Sequence, residues 1–160
     1  MAAGDIKDAF AASAAFTITL ASLANATAQQ SSMIDNSSNL YSSANIFVKI
    51  TSGSSAPTAG SVYSVYLLRR DDHASPNISE DSAGGSDAAI TIENATPLGV
   101  IIVTASANKA FIGVFSTTAL GPLGKSWGIA IKNNSGQTIH ATEGNHLARW
   151  VGVYNTVAQS

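Results

Sequence analysis

In several segments of this chain apolar and polar residues alternate with a period of two, the spacing of half-buried strands and not of helices. Residues 16–20, Phe-Thr-Ile-Thr-Leu, place Phe16, Ile18 and Leu20 on one face, with Thr17 and Thr19 opposite. Asn45–Thr51 does the same with Ile46, Val48 and Ile50 against Phe47 and Lys49, and Ser52–Gly60 then reads as a hairpin-type loop. Val62–Arg70 is apolar on both faces, with Tyr63, Val65 and Leu67 on one and Val62, Tyr66 and Leu68 on the other, so it is expected to be covered twice. Further β-branched or aromatic runs at Ala88–Glu93, Leu98–Thr104, Ala110–Ser116, Trp127–Lys132 and Leu147–Tyr154 are bounded by Gly, Pro, Asn or Ser, and Met33-Ile34 adds a short one.

Eight or nine short strands, with no amphipathic helix beyond about three turns, close most naturally as two packed antiparallel sheets. The expected fold is all-β, a jelly-roll-like sandwich over residues 15–160 preceded by an N-terminal arm, residues 1–14. Within the arm Asp5 stands at a capping position and Ile6 and Phe10 are spaced i, i+4 along an Ala-rich stretch, which predicts a short helix. Such a helix is marginal alone, so Ile6 and Phe10 need a surface to lie on.

Composition narrows the function classes. Charged residues are 11% of the 160 and hydrophobic types 45%. Ten acids against eight bases leave a net charge of −2, with no basic excess to neutralise a phosphate backbone, so nucleic acid is not an expected partner. The absence of cysteine excludes thiolate metal sites and thiol nucleophiles. Phe10–Ala24 imitates a secretory signal, but Asp5, Lys7 and Asp8 give it the wrong flank, and no run approaches the ~18 apolar residues of a membrane span. Asp71–Asp87 holds five of the ten acids beside Gly84-Gly85 and is expected to be a mobile, solvated loop without a bound cation.

Several motifs imitate catalytic chemistry. Ala119–Ser126 fits a relaxed phosphate-loop pattern, yet Pro122 lacks an N–H and the residues after Ser126 run with period two where a helix is required. Gly124-Lys-Ser126-Trp-Gly128 matches a nucleophile elbow, with Glu143 and His146 following in hydrolase order, but no helix follows the serine. His140, Glu143 and His146 fit neither a zincin nor a finger spacing and read as a polar loop. Trp127, Trp150 and Tyr154 suggest a sugar-stacking platform, against which Ile129 and Ile131, sharing the face of Trp127, argue for core. No catalytic residue, cofactor site or metal site is assigned.

Taken in order, Met33–Leu40, Phe47–Ile50, Val62–Tyr66, Gly85–Ile90, Leu98–Val100, Leu123–Ile131 and Asn133–Gly136 resemble small proteins encoded among the structural genes of tailed bacteriophages, the β-sandwich decoration (cement) proteins of phage capsids. The likeness spans roughly residues 16–155. It implies a non-enzymatic virion protein on the outer surface of the capsid, binding the major capsid protein as a homotrimer and stabilising the head, with neither membrane nor nucleic acid as partner. Other expectations of the same composition are a head-fibre or tail-associated protein and a carbohydrate-binding module. The apolar residues expected at a capsid or subunit contact are Ile6, Phe10, Tyr63 and Tyr66, the tyrosines because Val62–Leu68 carries more apolar surface than a small sandwich readily hides.

Overall fold

A computed structural model describes residues 5–157. Eleven strands follow in chain order: β1 (Ile6–Phe10), β2 (Ala14–Ala15), β3 (Ala28–Gln30), β4 (Ile34–Asp35), β5 (Ser43–Thr51), β6 (Val62–Arg70), β7 (Ala88–Ile90), β8 (Thr96–Ile102), β9 (Ala110–Ser116), β10 (Ser126–Asn134) and β11 (Leu147–Val157). The only helical elements among the described residues are three-residue 3₁₀ turns at 80–82, 118–120 and 143–145.

The first sheet runs β1-β11-β5-β9, with β2 beside β1 on β11, and the second runs β7-β3-β10-β6-β8, with β4 also on β10. The pairings nest: the start of the chain lies on β11, β3 on β10, β5 on β9 and β6 on β8, all antiparallel. A chain folded back on itself four strand pairs deep and rolled into two sheets is a jelly roll. The Ser52–Gly60 segment is therefore no hairpin. It carries the chain from the first sheet to the second, because β5 pairs with β11 and β9 while β6 pairs with β10 and β8.

The core lies between the sheets. Ile46, Val48 and Ile50 from β5, Tyr63, Val65 and Leu67 from β6, and Trp127, Ile129 and Ile131 from β10 meet there, each inward residue alternating with an outward one. Trp127 is fully buried, edge-on to Phe16 at 5.6 Å and to Trp150 at 5.3 Å between centroids. Residues 16–20 show the expected alternation, Phe16, Ile18 and Leu20 buried and Thr17 and Thr19 exposed, without a ladder of their own. They cross from one sheet to the other: the Phe16 amide donates to the Ala148 carbonyl, and the Ser32 amide to that of Thr17. Where the sheet edges β8 and β9 converge, Gly113 is required by close approach, since a Cβ there would stand 2.6 Å from Ile101 Cγ1 and 2.7 Å from the Phe115 ring.

Two expectations are corrected. Ile6–Phe10 is a strand, not a helix, because β11, paired with β5 along one edge, offers its other edge over residues 153–157; residues 1–4 of the arm lie outside the described residues. Asp71–Asp87 is tied down, since its acids serve as hydrogen-bond acceptors. Asp71 Oδ1 accepts the Ile78 amide at 2.7 Å, Glu80 pairs with Arg69 at 3.1 Å, and Asp81 accepts the amides of Glu93, Asn94 and Ala95. Residues 71–87 thus form a strap over the outer face of the second sheet, continued past edge strand β7 by residues 91–95. Beneath it Leu68, Met33, Ala83, Ala95 and Ala130 make a second, smaller core.

Candidate functional site

That strap decides which apolar residues are free to meet a partner. Tyr63 points into the main core and is fully buried, and Tyr66 packs half-buried against the smaller core, so neither expected tyrosine is a surface contact. The second apolar face of Val62–Leu68 is covered in part by the chain's own residues 83–95, which pack on Leu68 and Tyr66. Ile6 and Phe10 remain exposed, at 73% and 64%.

They belong to a larger surface. Inward Ile46, Val48 and Ile50 force Phe47 and Lys49 outward, and the registers place Arg149 and Val114 beside Phe47, and Leu147 and Ile112 beside Lys49. Further along β11, Val153 lies opposite Phe10 and Val157 opposite Ile6. Of the twelve large apolar side chains exposed among the described residues, seven lie on this one face: Ile6, Phe10, Phe47, Ile112, Val114, Leu147 and Val157. An antiparallel sheet with one solvated face ordinarily turns polar residues outward. Here Ile112 is 70% and Val114 62% exposed, and a cluster of exposed apolar side chains such as Phe47, Ile112, Val114 and Leu147 is the kind of surface that interaction sites use. A shallow groove of about 210 Å³ runs between Phe47, Ile112 and Leu147, flanked by Lys49 and Arg149. Sequence reasoning missed this face, although the signal was present: Phe47, Ile112, Val114 and Leu147 occupy the positions that alternation assigns to solvent.

At the end of the face, residues 154–157 of β11 pair with β1 alone, forming a two-stranded ribbon. Two-stranded ribbons are marginal in water, and this one bears Ile6, Phe10 and Val157 outward. A partner surface would supply what it lacks.

The residues of the catalytic-looking motifs take the following places in the fold. Ser126 begins β10 and is fully buried; the chain continues as strand, and no helix N-terminus faces its hydroxyl. His73 Nδ1 lies 3.1 Å from Ser126 Oγ, closing the strap over the serine. Glu143 carries Leu20 and Ala21, accepting their amides on one carboxylate oxygen at 2.8 and 2.6 Å. His146 sits between the Thr51 amide, 3.3 Å from Nδ1, and the His140 carbonyl, 2.9 Å from Nε2, and burial pushes its imidazole pKa down. Trp127 and Trp150 are core, which leaves Tyr154 without the coplanar partners of a sugar platform.

No protein family matches the chain, and no curated protein does. Among solved structures, the T13 particle of infectious bursal disease virus (IBDV) aligns at 14% identity over 97% of this chain and 41% of its own, with a TM-score of 0.22. The Gx strain of infectious bursal disease virus aligns at 14% identity over 96% of this chain and 38% of its own, with a TM-score of 0.16. The chain spans about two fifths of the length of either.

Proposed function

We propose that the protein is a non-enzymatic structural component of a virion, a decoration protein that clamps onto the outer surface of a tailed-phage head through the outer face of its first sheet. The observation that carries this reading is that face itself, apolar where a free sandwich would be polar. Its chemistry suits a shell contact: Phe47, Ile112, Val114 and Leu147 can be covered without stripping water from many charges, and Lys49 and Arg149 supply orientation against a carboxylate. The β1–β11 ribbon extends the same face and gives the arm its place in the attachment. The ordered likeness to phage cement proteins points to the same role and to a homotrimer, in which three weak attachments reinforce one another once the first is made.

The test is the double substitution Ile112→Thr with Val114→Thr, which keeps two β-branched residues in β9. Covering each of these side chains is worth roughly 1–2 kcal/mol, given that full burial of an aliphatic side chain yields ~1.5–3 kcal/mol and most of each is still exposed. Binding to purified heads lacking the protein is expected to weaken by roughly 30- to 800-fold. Unaltered co-sedimentation with the heads would remove the face from the contact.

A further inference from the structure

We propose that the strap borders an open carboxylate-binding pocket built on the guanidinium of Arg70. This inference stands apart from the virion reading and rests on a different part of the molecule.

Arg70 ends β6 with its side chain turned toward the strap, on the same side as Leu68. It is only 8% exposed. Its Nε donates to Asn77 Oδ1 at 3.1 Å, whereas the ion pairs among the described residues are Arg69–Glu80 and Lys125–Asp72, neither of which involves Arg70. The acids nearest in sequence are committed elsewhere: Asp71 to the Ile78 amide, Asp72 to Lys125, Glu80 to Arg69 and Asp81 to three amides. A guanidinium largely withdrawn from water and without a paired carboxylate keeps its Nη donors open to an anion, since pairing is what offsets lost hydration.

The space beside it is built to receive such a pair. A cavity of about 560 Å³ is lined by Arg70, Ser75, Asn77, Ser79, Ser82 and Gly85. Gly85 keeps that space open, since a Cβ there would lie 3.3 Å from Nη1. The paired Nη donors match a planar carboxylate in a fork geometry, with hydroxyls available at the rim. One positive charge balances one carboxylate, whereas a phosphate dianion would add uncompensated negative charge to an acid-rich strap.

The experiment is thermal unfolding of the full chain in sodium acetate, in a blocked peptide carrying a single glutamate, and in sodium phosphate, each against sodium chloride of equal ionic strength. The expected result is a Tm rise that grows with ligand concentration, reaching roughly 5–11 °C at a ~100-fold excess over Kd. It should vanish in Gly85→Val, which fills the space beside Nη1, and in Arg70→Gln. Without ligand, Arg70→Gln should be at least as stable as the parent, the unpaired charge having been relieved. A response to acetate identifies a small free carboxylate as sufficient, and a response to the peptide alone identifies a side-chain carboxylate of a docked polypeptide. A Tm that follows ionic strength only, a shift that persists in Gly85→Val, or a response confined to phosphate would overturn the proposal.

Discussion

Truncating Trp127 to alanine removes the largest side chain that is fully buried between the two sheets. Its indole is edge-on to both Phe16 and Trp150, so the substitution deletes two ring contacts and opens a cavity that β-sheet backbones on either side are slow to collapse. Loss of a buried Trp or Phe costs about 3–5 kcal/mol, within which the two ring contacts account for ~0.5–1.5 kcal/mol each. The indole Nε1 has no hydrogen-bond partner among the described residues, so truncation orphans no acceptor and the packing loss stands alone. Against a total stability of ~5–15 kcal/mol, this removes at least about a fifth of what holds a typical domain together. The assay is urea unfolding followed by far-ultraviolet circular dichroism, with thermal scans beside it, where a fall of about 6–20 °C is expected for a domain of this size. Trp127→Phe, which retains a ring against Phe16, should lose less than half as much. A Trp127→Ala protein unfolding within ~1 kcal/mol of the parent would refute the central packing of this residue.

Other outcomes follow from the same geometry. His146 is buried with Nδ1 facing the Thr51 amide, so its pKa lies below the unfolded value of about 6.5 and the unfolded chain takes up the proton first as pH falls. Stability present near pH 7.5 should therefore begin to fall as pH drops through ~6.5 and level off below the folded-state pKa, and His146→Gln should flatten that part of a urea-midpoint profile; an unchanged slope would contradict the assignment. Deleting residues 1–10 removes a strand whose side chains are mostly exposed, so the sandwich should lose no more than about 1–2 kcal/mol while attachment to heads weakens, read by unfolding and co-sedimentation in parallel. Chelation of calcium should leave the melting temperature unchanged, because the strap carboxylates already hold backbone amides and Arg69; a fall of several degrees reversed by calcium would show a cation site.

Strand existence was legible where apolar residues alternated, as in Asn45–Thr51, because burial of one sheet face dictates that pattern, and where β-branched and aromatic residues clustered between turn residues, as in Ala110–Ser116. Connection was not. Ser52–Gly60 has the composition of a hairpin loop, and only the long-range pairing of β5 with β11 shows that it changes sheets. Ile6–Phe10 carried helical spacing over a few residues, and the free edge of β11, supplied by residues nearly the whole chain away, overrode it. The apolar second face of Val62–Leu68 correctly demanded a cover, but nothing local revealed that Ala83 and Ala95 would provide it. The exposed face of the first sheet emerges only when four separated strands are laid side by side. Arg70 gave no signal, since next to Asp71-Asp72 it reads as a locally neutralised charge, while the fold sends those acids to other donors.

The most direct test of the proposed role is cryo-electron microscopy of tailed-phage particles assembled with and without this chain. The account predicts jelly-roll density on the outside of the head, with Phe47, Ile112 and Val114 against the capsid lattice, the β1–β11 ribbon lying on the shell or on a neighbouring copy, and bare heads that rupture at lower temperature. Particles in which the chain is absent from the head, or sits there with the outer face of its first sheet turned to solvent, would contradict it.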